Sequence, residues 1–81
     1  MQADEFQNLM RADPFVPLRI RLNDGTTYDV AQPYMAMAMK AHLVVGIPDP
    51  ESNGRWAHDY VEIDWQHIAS VNRFVPEGAV A

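Results

Sequence analysis

From residue 18 the side chains change sides at every position: Leu18, Ile20 and Leu22 are apolar, while Arg19, Arg21 and Asn23 are polar. A period of two is the signature of a half-buried β-strand, because successive Cβ atoms point to opposite faces of a sheet. Asn23-Asp24-Gly25 follows at once, and glycine supplies the positive φ that a tight hairpin needs. Thr27-Tyr28-Asp29-Val30 then resumes the alternation with Tyr28 and Val30 on the apolar side. Residues 17–31 are therefore expected to form a β-hairpin. An isolated hairpin is barely stable in water, so the rest of the chain must cover its apolar face.

Other segments supply that cover. Residues 4–12 read as a short amphipathic helix, since Phe6, Leu9 and Met10 stand at i, i+3 and i+4 and share one face. Asp13-Pro14 stops it, because the residue before proline is driven out of the helical region. Met35-Ala36-Met37-Ala38-Met39 alternates strictly and is read as a strand with Met35, Met37 and Met39 on one face, although Ala and Met favour helix. His42 to Ile47 is a β-branched strand, Pro48 to Ala57 a polar loop, and Tyr60 to Trp65 alternates again with Val61, Ile63 and Trp65 inward. Ile68 to Phe74 completes the set.

The fold class read from this order is α+β. A short N-terminal helix precedes a five-stranded, strongly bent antiparallel sheet or small barrel, with the helix over one open end. Residues 1–75 make a single domain, and 76–81 read as a flexible C-terminal tail. With 81 residues and no cysteine, disulfides and Cys-based zinc cannot staple so small a core, which leaves efficient packing, a His/carboxylate metal or self-association.

Two resemblances add to this reading. The stretch Pro14-Phe15-Val16-Pro17-Leu18-Arg19-Ile20-Arg21-Leu22-Asn23-Asp24-Gly25, with the closing His67-Ile68-Ala69-Ser70-Val71, resembles a family of small bacterial proteins. Those chains run helix, PF-x-P-x-R-I-x-L-x-D-G, a proline-bearing loop, a valine-rich strand and a final H-I-x-S. That likeness implies an architecture and carries no activity with it. The order of elements is also similar to Sm-like and SH3-like small barrels. The second Sm motif expects an Arg-Gly signature where this chain has Asp64-Trp65-Gln66-His67, and Asp29 to Met35 lacks the Asp and Asn spacing of the first. RNA-binding roles therefore transfer to no residue here.

The residues themselves point away from catalysis. His42, His58 and His67 are far apart, with no His-x-x-x-His pair, so no metal set is read. Ser52 and Ser70 have no base beside them in sequence, Glu62 and Asp64 fall on the polar side of their strand, and the glycines form no phosphate loop. No catalytic residue, cofactor or metal is expected, and the chain is not read as an enzyme.

The candidate interaction residues are Arg19 and Arg21, which share the outer face of the first strand, the Met35, Met37 and Met39 stripe, and Trp56 and Trp65. Asp29 and Glu62 are the expected cross-strand partners of the arginines. Of the two tryptophans, one is expected inside and the other as an exposed anchor. Together they suggest a protein-interaction module that self-associates or binds another protein. The alternatives are an Sm-like nucleic-acid binder using Arg19, Arg21 and Arg73, and a regulatory accessory subunit of a larger protein. A net charge of −5 opposes nucleic acid and anionic membranes at long range. Met1 to Met10 has neither the basic nor the apolar region of a secretory signal, so a cytoplasmic location is expected.

Overall fold

The computed structural model describes residues 1–74. The tail expected over 76–81 lies outside them. The elements run α1 (Ala3–Met10), β1 (Leu18–Leu22), β2 (Thr27–Val30), β3 (Ala36–Ala38), β4 (His42–Pro48), β5 (Ala57–Asp64) and β6 (Ile68–Arg73). Short 3-10 turns occupy Pro33–Met35, Pro50–Ser52 and Trp65–His67. The α+β class is therefore observed; its six strands correspond to the six segments read from the sequence, one more than the five-stranded sheet expected of them.

The strands form two three-stranded antiparallel sheets, ordered β2-β1-β6 and β3-β4-β5, and not a closed barrel. The physical reason lies in the two corners. Pro33 has no N–H to give a ladder and its fixed φ suits the first position of a turn, so the chain coils through Pro33–Met35 as it leaves β2 for β3. At the second corner the Asp64 carboxylate accepts from the Gln66 N–H at 2.9 Å and caps the turn Trp65–His67 between β5 and β6. Each corner carries the chain from one sheet to the other, so the ladder never closes.

One apolar cluster serves both sheets. Leu18, Ile20 and Val30 come from one, Leu43, Val45 and Ile63 from the other, and Phe6, Met35, Trp65 and Ile68 complete it. Helix α1 contributes Phe6 as its buried residue, with Leu9 and Met10 packed half-buried against the cluster, as its i, i+3, i+4 pattern requires. The helix lies against β3, where the inward side chains are only Ala36 and Ala38. The Phe6 ring meets Trp65 with centroids 5.8 Å apart and planes tilted by 55°.

The Met-Ala segment is corrected in phase. It is not a helix, but neither does it present three methionines on one face. Met35 belongs to the 3-10 turn and is buried, whereas Met37 in β3 and Met39 beyond it are exposed. A 3-10 turn does not advance side chains by alternation, so the strand restarts with alanine inward.

The first hairpin matches its reading. Arg19 pairs with Asp29 and Ile20 with Tyr28 across β1 and β2. Gly25 stands at φ +90°, and its N–H bonds the Leu22 carbonyl at 3.0 Å, the turn-plus-bulge form of a three-residue hairpin loop. Asp24 Oδ1 accepts from the Thr26 N–H at 2.9 Å. That bond, seconded by the Thr26 side chain, holds the Asp24 carboxyl below its ordinary value, with His67 adding a minor electrostatic pull in the same direction.

A depressed carboxyl contributes stability that is complete above the unfolded value and is lost as pH falls through the folded one. Urea midpoints of the wild type and Asp24→Asn are therefore expected to differ by a constant amount from neutral pH down to about pH 5 and to converge below about pH 4. A difference that stays constant through the acid range would show that the turn owes nothing to the Asp24 charge.

Candidate functional site

A mainly apolar groove of about 350 Å³ lies on the β3-β4-β5 sheet, while a larger hollow of about 550 Å³ beside the start of α1 and Trp65 is as polar as it is apolar. The floor of the groove is Val44 and Gly46 of β4 with Met35, and its walls are Tyr34, Met37, Trp56 and Tyr60. The wall side chains are large and apolar yet open to water. Tyr34 and Tyr60 are 61% exposed, Met37 63% and Trp56 54%. Among the described lining residues Arg55 alone carries a charge.

Each wall is positioned by a separate device. The Tyr34 hydroxyl donates to the Gly54 carbonyl at 2.7 Å, which ties the Pro33–Met35 turn to the loop after β4. This expected polar loop is internally bonded. Asp49 caps the Pro50–Ser52 turn by accepting from the Glu51 N–H at 3.0 Å. The buried Ser52 hydroxyl donates to the Asp49 carbonyl at 2.9 Å. The Asp49 N–H bonds the Trp56 carbonyl at 3.0 Å, closing the loop. Asn53 (φ 54°) and Gly54 (φ +79°) make the left-handed reversal that returns the chain. Trp56 is thus presented from a fixed base, with its indole Nε1 donating to Asp49 Oδ2 at 3.3 Å. The Arg55 guanidinium lies over the Trp56 ring, 4.8 Å from the centroid.

Gly46 keeps the floor open. A Cβ there would stand 3.1 Å from the Ala57 Cβ and 3.2 Å from the Met35 sulfur. Any larger residue would push Met35 and Ala57 out of place. The Tyr60 outward position follows from strand alternation, since Val61 and Ile63 face the cluster.

The expected interaction residues separate into three places. Met35, Met37 and Trp56 come together in the groove, with Met35 as floor and the other two as wall. Trp65 is buried in the core, where its indole N–H donates to the Met39 carbonyl at 2.8 Å, and is a structural residue. Met39 is exposed but does not line the groove.

Arg19 and Arg21 lie on β1, in the other sheet. Arg19 is committed: its Nε and Nη2 bond the Asp29 carboxylate at 2.8 and 3.1 Å, and its guanidinium stands 4.5 Å from the Phe74 ring centroid. The Asp29 hydrogen bond, followed by its charge, raises the Arg19 value above the ordinary one. Glu62 is not a partner of these arginines, because it pairs with Val44 in the β3-β4-β5 sheet. No group of three or more His, Cys, Asp or Glu side chains among the described residues could hold a metal ion. No helix among them is long and apolar enough to cross a membrane.

Tyr34, Tyr60, Gly46 and Arg55 were missed in the sequence reading. For Tyr60 a signal existed: a tyrosine on the polar side of a strand, beside Glu62 and Asp64, leaves an aromatic ring without a core to enter. Tyr34 and Gly54 are joined across 20 positions of sequence, a closure no local pattern announces.

Gly46→Ala is expected to lower stability by about 1–3 kcal/mol in chemical denaturation, because the added methyl must displace Met35 or Ala57. An unchanged midpoint would mean that the floor has room to spare. Comparison of the chain with protein-family models, with curated proteins and with solved structures returns no match.

Proposed function

We propose that this chain is a small non-enzymatic protein-interaction module that docks another protein chain in the groove between Tyr34, Trp56 and Tyr60. The observation that carries the reading is the convergence of three aromatic rings, each more than half exposed, on one hollow while the core is already filled without them. Leaving large aromatic surface in water is costly, and rigid aromatic anchors at the centre of a patch are where binding energy concentrates. Among the described residues the lining holds no histidine, serine or carboxylate, and offers shape and ring faces.

Self-association belongs to the same proposal, with Met37 and Met39 as the uncovered apolar surface. An accessory role on a larger protein is one form of it, and the cytoplasm is its expected setting. The likeness of residues 14–25 and 67–71 to the small bacterial family contributes an architecture to the proposal and no activity. Nucleic-acid binding is not favoured, because Arg19 is held by Asp29 and Phe74 and the chain is acidic.

The double variant Trp56→Ala/Tyr60→Ala is expected to melt within about 4 °C of the wild type, since substitutions at exposed sites cost little. In sedimentation velocity over a dilution series the wild type is expected to associate as concentration rises. Unfolding of the double variant would make the groove a structural feature and overturn the reading. A wild type that remains monomeric at the highest concentration would remove self-association from it.

A further inference from the structure

The groove is aromatic, and its surroundings are acidic. Glu62 lies two residues from Tyr60 along β5, on the same outer face by alternation, and pairs with the floor residue Val44. Asp49 reaches the opposite wall, where its carboxylate accepts from the Trp56 indole. The chain as a whole carries a net charge of −5. Electron-rich ring faces inside an acidic rim are complementary to a cation on an apolar stem, the form of an arginine or lysine side chain.

The protein already makes such a contact with itself. The Arg55 guanidinium covers the Trp56 ring at 4.8 Å, anchored by its Nε on the Ser52 carbonyl at 3.2 Å. This shows that the ring accepts a planar cation in this setting. A second copy of the chain offers the groove few cations, with six Lys and Arg against eleven Asp and Glu. A nucleic acid is poorer still, since its phosphates would meet Asp49 and Glu62 with Arg55 as the one lining cation among the described residues.

Resting on the docking reading above, we propose that the groove takes a cationic segment of a partner protein, presenting arginine or lysine between apolar residues. The incoming cation lies on the rings of Tyr34, Trp56 and Tyr60 and faces Glu62. Arg55 is then an internal competitor: it covers Trp56 in the free protein and yields part of that surface when the segment docks.

The test uses the full chain and four probes: an arginine–alanine repeat peptide, its citrulline counterpart of equal shape without charge, its glutamate counterpart, and a single-stranded oligonucleotide. The arginine peptide is expected to bind, and the citrulline peptide to bind about tenfold more weakly. Trp56→Ala is expected to weaken the arginine peptide by about tenfold and Glu62→Gln by about two- to fivefold. Arg55→Ala is expected to tighten it by about two- to fivefold, because the competing cation is gone.

Weaker binding of the arginine peptide by Arg55→Ala would show that Arg55 supports the docked segment and does not compete with it, and would overturn the inference. So would tighter binding of the glutamate peptide or the oligonucleotide, or no binding of the arginine peptide. The docking reading itself fails on a different measurement, the melting of the Trp56→Ala/Tyr60→Ala variant, so the two failures are told apart.

Discussion

Phe6 packed on Trp65, with the Trp65 indole N–H bonded to the Met39 carbonyl at 2.8 Å, joins three parts of the molecule that do not pair with one another directly. Phe6 brings the helix, Trp65 stands at the corner between the last two strands, and Met39 is the residue that follows β3. Neither three-stranded sheet has a second layer of its own. Each buries its apolar face only because the other sheet and the helix close over the same cluster. A helix of eight residues has no stability alone, so this contact is also what makes it a helix. The absence of cysteine places the whole of that task on packing.

The same economy accounts for the groove. The cluster is complete with Trp65 inside and Trp56 left out. Trp56 is instead carried on the loop after β4, whose Asp49, Ser52 and Trp56 bonds fix it without burying it. Gly46 withholds a side chain beneath it, and Tyr34 is tethered to Gly54 so that the two walls keep their spacing. The hollow is therefore held open by polar bonds at its edge and lined by apolar surface within. That combination is what the docking proposal rests on.

Much of the scaffold was legible because alternation reports burial directly. Leu18, Ile20, Val30, Leu43, Val45 and Ile63 are all where a period of two places them, and Phe6 is where a helical period places it. The errors arise where the period changes. Pro33 opens a turn that takes Met35 out of the strand, so a stripe of three methionines divides into one buried and two exposed. The corners at Pro33–Met35 and Trp65–His67 also convert one bent sheet into two, a consequence of hydrogen-bond partners far apart in sequence. The groove was only partly visible. Met35, Met37 and Trp56 were candidates as separate features, but their meeting with Tyr34 and Tyr60 depends on the loop closure. Of the two tryptophans, Trp65 falls on the inward side of its alternating strand and Trp56 in a polar loop, and the structure buries the first and exposes the second.

That division between a filled core and a solvent-facing groove is the central claim, and the tryptophans report on it separately. In Trp56→Phe the remaining Trp65 is expected to emit at short wavelength and to resist acrylamide quenching. In Trp65→Phe the remaining Trp56 is expected to emit at long wavelength and to be quenched readily. The reverse order, or equal protection of both indoles, would contradict the account.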